Sequence, residues 1–181
     1  MNTTTLFPHV IETKRLILRR PEQADAGAIF SAYAQDKDVA RFMVWRPHTS
    51  LEETHAFIAS CLASWDCGAA YPYVLTGKND GAVIGMLEAR PKTHLANIGY
   101  VLARAHWGKG LMPEAVQSFT ELALSLPLMF RVEASCDVEN RASARTLEKA
   151  GFMREGLLGR YTIHPNISPE PRDCWLYAKC R

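Results

Sequence analysis

The stretch Ile98–Ala115 reads IGYVLARAHWGKGLMPEA, and the rest of the chain can be read outward from it. A strand-like run ends at Leu102, a short loop follows, and Gly108 and Gly110 stand just before a helix that opens with Pro113 and Glu114. Glycines at such a turn let successive backbone amides converge without side-chain obstruction. The helix start adds unpaired N–H groups and the positive end of its dipole. Together these cradle phosphate, and Lys109 places a cation beside the nest. A glycine-rich strand-to-helix turn that binds nothing would read the same way. Two other phosphate motifs fit poorly. A P-loop needs Ser or Thr after its lysine, where Gly110 stands. A dinucleotide fingerprint needs a third glycine at Pro113 and a parallel βαβ unit, although Glu133 does lie about 20 residues on.

Upstream, three strand-like runs cover Tyr71–Thr76, Ala82–Arg90 and Leu95–Leu102. The Gly77–Gly81 turn (GKNDG) and the Pro91-Lys92 break divide them, which predicts an antiparallel meander. Ser50-Leu-Glu-Glu53 has the form of a capping box and opens a helix running to about Trp65, with Gly68 as its stop. Arg15–Arg20 (RLILRR) is a short strand ended by Pro21. Asp25–Tyr33 is a helix, and Lys37–Trp45 a shorter helical or irregular piece.

Downstream, Pro113–Leu126 carries Val116, Phe119, Leu122, Ala123 and Leu126 at helical spacing. A strand over Phe130–Cys136 follows, then a helix over Ala142–Ala150 closed by Gly151. A final pair of strands, Phe152–Tyr161 and Asp173–Lys179, is joined by the loop HPNISPEP. This order predicts an α/β fold with a mixed, mostly antiparallel central sheet flanked by helices.

Composition narrows the function. The 181 residues fit one domain, 1–181, and 48% hydrophobic with 22% charged residues is ordinary globular usage. A net charge of +2 gives no argument for nucleic acid or a membrane surface. No apolar run approaches the roughly 18 residues that span a bilayer, and the N-terminus lacks the features of a signal peptide. A soluble, cytoplasmic protein is expected. Five cysteines without a C-x-x-C pair and six scattered histidines predict free thiols and no metal site.

A second cluster is Asn140–Phe152, NRASARTLEKAGF. Asn140 is a plausible N-cap, with Ser143 and Leu147 on one helical face; simple capping and packing would account for all three. The two clusters, in this order and about 30 residues apart, resemble the GNAT superfamily of acyl-CoA-dependent N-acyltransferases. The segments ETKRLILRRPEQADA, DKDVARFMVWRPHTSLEET and RDCWLYAK resemble its RimL-like branch, the ribosomal-protein N-terminal acetyltransferases and their relatives.

The resemblance implies acetyl-CoA as co-substrate. It implies a pyrophosphate loop of the form [Q/R]-x-x-G-x-[G/A] at Trp107-Gly108-Lys109-Gly110-Leu111-Met112. Gly110 fits, Trp107 replaces the polar first residue, and Met112 replaces the small last one. The backbone of Tyr100, Val101 and Leu102 would pair with the pantetheine arm in a V-shaped slot beside the strand Phe130–Cys136. Asn140 would hydrogen-bond the pantetheine, and Ser143 would lie near the thioester sulfur.

The chemistry implied is direct attack of a neutral primary amine, a protein N-terminus or a small molecule, in a ternary complex. The family's usual acid, a tyrosine, is replaced by Leu147, so Ser143 is the candidate in its place. No carboxylate lies on Thr93–Leu102, where Asn97 occupies the usual neighbourhood of the base; Glu88 is the candidate base, acting through water. Trp45, Arg46 and His48 are expected around the acceptor. The competing reading is a catalytically weak acyl-CoA-binding or sensing domain. Neither nucleic acid nor membrane is expected as a partner, and a monomer and a homodimer are both open.

Overall fold

A computed structural model describes residues 5–181. The elements, in chain order, are β1 (Val10–Glu12), β2 (Leu16–Arg19), α1 (Ala26–Ile29), α2 (Lys37–Ala40), α3 (Leu51–Cys67), β3 (Tyr71–Gly77), β4 (Val83–Lys92), β5 (Leu95–Leu102), α4 (Leu111–Ser125), β6 (Arg131–Asp137), α5 (Arg141–Lys149), β7 (Met153–Ile163) and β8 (Pro171–Cys180). The strands form one sheet in the order β1-β2-β3-β4-β5-β6-β8-β7. Every neighbouring pair is antiparallel except β5 and β6, which run parallel. The expected mixed, mostly antiparallel sheet is therefore present. Among the described residues no helix is long and apolar enough to cross a membrane.

Strand alternation sorts the core onto two sides of the sheet. Leu18, Tyr73, Leu87, Val132 and Tyr177 join Phe119 of α4 and Leu147 of α5 in the larger cluster. Val74 and Met86 join Ile29, Tyr33 and Ile58 under α1 and α3 in the smaller one. With helices on both faces, β3 is buried over six of its seven residues, which is why it reads as a continuous apolar run rather than an alternating one.

Several local expectations needed correction. The strand β1 went unforeseen because three residues carry no periodicity; it pairs with β2 through Val10↔Arg19 to Glu12↔Ile17. The helix expected over Asp25–Tyr33 is wound unevenly, a 3₁₀ turn at Gln23–Asp25, α1, and then a π turn over Phe30–Ala34. Ser50 caps α3 by accepting from the Glu53 amide, but the Glu53 carboxylate binds Thr49, through its amide (2.9 Å) and hydroxyl (2.8 Å), rather than completing the box on Ser50. Gly68 ends α3 at φ 71° as expected. The helix α4 starts two residues before Pro113, because Gly110 adopts the left-handed region (φ 71°) and serves as its N-cap.

The feature that positions the site is the junction of β5 with β6. Their pairing covers only Leu95↔Arg131 to Asn97↔Glu133. Beyond it, β5 stays with β4 as far as Leu102↔Gly85, while β6 stays with β8 as far as Asp137↔Cys174. Each strand follows its own antiparallel neighbour, and the sheet opens into a V between Ile98–Leu102 and Ala134–Asp137. Gly85 helps hold the outer arm, since a Cβ there would overlap the Val101 carbonyl oxygen.

Candidate functional site

Two cavities of about 570 and 590 Å³ lie on either side of the V and share Phe42, Met43, Tyr100, Val101, Asn140 and Ser143 as lining residues. The first is bounded by the end of β5, the loop from His106 to Gly110, the start of α4 and one face of α5. Leu102, Trp107, Gly108, Gly110, Leu111 and Met112 all line it. Gly108 and Gly110 both have left-handed backbones, at φ 74° and 71°. Leu111 and Met112 open α4, so their amides have no intrahelical carbonyl to reach. Pro113 follows, where a missing N–H costs nothing.

The substitutions in the loop have simple packing reasons. The Trp107 indole Nε1 donates to the Leu102 carbonyl at 2.7 Å, tying the loop to the end of β5. The Met112 side chain is buried in the larger core. Lys109 is exposed and its side chain does not line the cavity. Arg41, Arg145 and Lys149 line it instead, and none of them is in an ion pair among the described residues. These cations gave no motif, because they come from two helical regions more than 100 residues apart.

At the meeting of the two cavities, Asn140 caps α5 by accepting from the Ser143 amide at 3.1 Å. The Ser143 hydroxyl lies 2.8 Å from the Tyr100 hydroxyl, which is also 3.2 Å from the Ser143 carbonyl oxygen. Burial pushes the Tyr100 phenol well above its ordinary value, against the lowering effect of its hydrogen bond with Ser143. Leu147 is fully buried core. A hydroxyl pair therefore sits here, one member from β5 and one from α5; the expectation for Tyr100 concerned only its backbone, because no local signal links it to Ser143.

Cys136 lies beside this pair. Burial pushes its thiol up to about 11, outweighing the lowering effect of the nearby Ser143. Burial likewise pushes Cys61 up to about 12. Cys67 and Cys180 are exposed, and all five cysteines are free. Iodoacetamide at about pH 8 is therefore expected to alkylate Cys67 and Cys180 first and Cys61 and Cys136 last, since the thiolate is the nucleophile. Peptide mapping after brief labelling of the folded protein checks this; early modification of Cys136 would contradict its burial.

The second cavity is lined by Trp45, His48, Phe42 and Tyr161, with Glu88, Arg90 and Asn97 along the strands. Of the three residues expected around the acceptor, Trp45 and His48 line this cavity and Arg46 does not. Glu88 is present, but its carboxylate is hydrogen-bonded to Arg90, whose other nitrogen donates to Asn97 Oδ1 at 2.8 Å. Burial lowers the pKa of His48, so its ring is neutral at neutral pH, and Nδ1 lies 2.8 Å from the Thr54 hydroxyl. The Asn166 amide donates to the carbonyls of Ala40 (2.7 Å) and Trp45 (2.8 Å), so the β7–β8 loop clamps this wall. At the inner end, Asp137 is bound by Arg172 (2.6 Å) and approached by His164 Nε2 at 3.7 Å. Burial would raise the Asp137 carboxyl, but Arg172, the Glu139 amide and His164 together hold it below the usual range. This inner cluster comes from three separate segments and carried no sequence signal.

Amides gathered at a helix start lead here into a slot between two parted strands, an arrangement that suits an extended, phosphate-bearing ligand. The chain belongs to the GNAT acetyltransferases: the family's acetyltransferase (GNAT) domain matches residues 15–153. An N-acetyltransferase of Bacillus licheniformis, p20, is 32% identical over 154 residues, covering 82% of this chain and 85% of that one. The ribosomal protein uS5-alanine N-acetyltransferase of Escherichia coli is 24% identical, covering 84% and 82%. Among solved structures, the ribosomal L7/L12 alpha-N-protein acetyltransferase RimL, in complex with coenzyme A, matches with a TM-score of 0.84 at 22% identity, covering 94% of this chain and 97% of that one. The chain is thus an acyltransferase, and its kinship with the RimL-like branch is as the sequence segments implied.

Proposed function

We propose that the protein transfers an acetyl group from acetyl-CoA to a primary amine by direct attack in a ternary complex, using one domain that spans residues 1–181. The observation that carries this reading is the pair of cavities meeting at Tyr100, Val101, Asn140 and Ser143, where the sheet parts. In it, the amides of Gly108–Met112 bind the pyrophosphate, with Trp107 holding the loop to β5 and Lys109 adding positive charge nearby. The backbone of Tyr100, Val101 and Leu102 pairs with the pantetheine arm, and a free N–H in the slot polarises the thioester carbonyl. The Asn140 side-chain amide, whose oxygen is used in capping, has its NH₂ left for the pantetheine.

The Ser143 hydroxyl donates to the departing thiolate. Tyr100 supports it, because a raised pKa keeps the phenol protonated and able to donate throughout the neutral range. Glu88 is the candidate to take the amine's proton through water, although its pairing with Arg90 leaves it one engaged oxygen. Thiol release from acetyl-CoA in the presence of mixed amines and peptides tests the whole reading. Turnover above the uncatalysed rate is expected, whereas coenzyme A binding without turnover would identify an acyl-CoA sensor instead.

The acceptor follows from the weak base. At pH 7 an α-amine is neutral in about a tenth of molecules, a lysine side chain in well under a thousandth, a difference worth about 3 kcal/mol. With no carboxylate on β5 and Glu88 held by Arg90, a low-pKa amine such as a peptide N-terminus is expected to be acetylated faster than a lysine. Two matched peptides, one N-terminally blocked with a free lysine and one with a free N-terminus and no lysine, check this at pH 7. Faster reaction of the blocked peptide would reverse the preference.

A further inference from the structure

The segment ETKRL, which joins β1 to β2, belongs to the family resemblance, but nothing in the proposed chemistry uses it. In the fold, Arg15 reaches across to the loop that precedes α4. Its Nη1 donates to the Lys109 carbonyl at 2.9 Å and its Nη2 to the Gly110 carbonyl at 3.0 Å. Its Nε donates to Glu114 Oε2 at 2.6 Å. The other Glu114 oxygen accepts from the Arg15 amide (2.8 Å) and the Thr13 hydroxyl (2.5 Å). The three guanidinium nitrogens thus bind three different acceptors, a use of the planar fork that an ammonium cannot copy.

The consequence lies in the peptide planes. A trans peptide points its C=O and its N–H in opposite directions. The Lys109 carbonyl shares a plane with the Gly110 amide, and the Gly110 carbonyl shares one with the Leu111 amide. Holding both oxygens on the outside turns both N–H groups to the inside, toward the cavity that Gly110 and Leu111 line. The Gly110 carbonyl is also held by the Glu114 amide at 3.4 Å, so the Lys109–Gly110 plane depends most on Arg15; were it to flip, a carbonyl oxygen would face the anion instead of a donor, and Gly110, at φ 71°, has the freedom to let it. Glu114 holds the guanidinium in its plane. Its own negative charge, in the first turn of α4 where an anion is to bind, is offset by Arg15. Burial would raise the Glu114 carboxyl, but Thr13 and Arg15 hold it below the usual range, so the pair stays ionised at neutral pH.

We propose that Arg15, braced by Glu114 and Thr13, is a positioning residue for the coenzyme loop, orienting the Gly110 and Leu111 amides toward the pyrophosphate from outside the site. This rests on the reading that residues 108–112 hold that pyrophosphate. Titration calorimetry with coenzyme A, melting curves and steady-state kinetics on Arg15→Gln, Arg15→Lys and Glu114→Gln test it. Arg15→Gln is expected to raise the Kd for coenzyme A and the KM for acetyl-CoA by about tenfold, with kcat at saturation within about twofold of wild type. The KM for S-acetylpantetheine, which has no pyrophosphate, is expected to stay unchanged, and a general loss of structure would not spare it. Arg15→Lys should lose nearly as much as Arg15→Gln, and Glu114→Gln less.

A folded Arg15→Gln variant with wild-type coenzyme A affinity would overturn the proposal, as would full rescue by Arg15→Lys or an equal loss with S-acetylpantetheine. Should Arg15→Gln not fold, Glu114→Gln and Thr13→Val carry the test, and unchanged affinity in both overturns it. Absence of coenzyme A binding in the wild type would instead overturn the loop assignment itself.

Discussion

Gly110→Asp is expected to raise the Kd for coenzyme A by about 100-fold while leaving the protein folded. A Cβ at this position would sit 3.7 Å from Arg15 Nη2, an ordinary contact, so steric exclusion is not the reason. Two other effects act together. The new carboxylate competes with the carbonyls of Lys109 and Gly110 for the Arg15 guanidinium, and it places a negative charge beside the amides of the loop. A unit charge about 6 Å from a phosphate charge, at an effective dielectric of about 20, costs about 2.8 kcal/mol, which is about 100-fold. Gly110→Ala separates this from backbone strain. At φ 71° alanine costs about 1 kcal/mol of stability, and it should leave affinity within about fivefold. Calorimetry on both variants, with melting curves to establish folding, checks the prediction; wild-type affinity in Gly110→Asp would move the pyrophosphate elsewhere.

The second large effect is expected at the hydroxyl pair. Ser143→Ala and Tyr100→Phe should each lower kcat about tenfold, with the Kd for coenzyme A within about twofold. The two oxygens are 2.8 Å apart, and in the proposed role the phenol acts through the serine hydroxyl, so the double variant should be little worse than the poorer single one. Multiplicative losses would mean that the two hydroxyls act separately. Wild-type kcat in both single variants would reduce the pair to packing. Because the Tyr100 phenol is shifted upward, kcat should show no alkaline loss from this group across the neutral range.

Much of the frame was legible because it depends on neighbours in sequence. The GKNDG turn, the Ser50 cap and the glycines at 68 and 151 punctuate the chain by local backbone preference, and α3, α5 and the meander lie where these residues place them. The loop at Gly108–Met112 was legible for the same reason, since two glycines before a helix expose amides whatever surrounds them. The shortest and least regular pieces, β1 and the unevenly wound helix after Gln23, were not. Their form is set by packing under the sheet rather than by any period.

What lay outside the sequence was every relation between distant segments. No local signal says that β5 and β6 part after Asn97, because parting results from each strand keeping a different antiparallel partner. None says that Tyr100 meets Ser143 across 43 residues, that Arg90 occupies Glu88, or that His164 and Arg172 converge on Asp137. Arg15 and Glu114 are 99 positions apart, and only the sheet and α4 bring them together. Local backbone preference and motif were enough for the kinds of element, the amide-rich turn and the family. The tertiary structure alone decided where the sheet opens and which hydroxyls, charges and carbonyls face one another there, since hydrogen bonds and ion pairs form between groups that packing brings within about 3 Å, however far apart they lie in the chain.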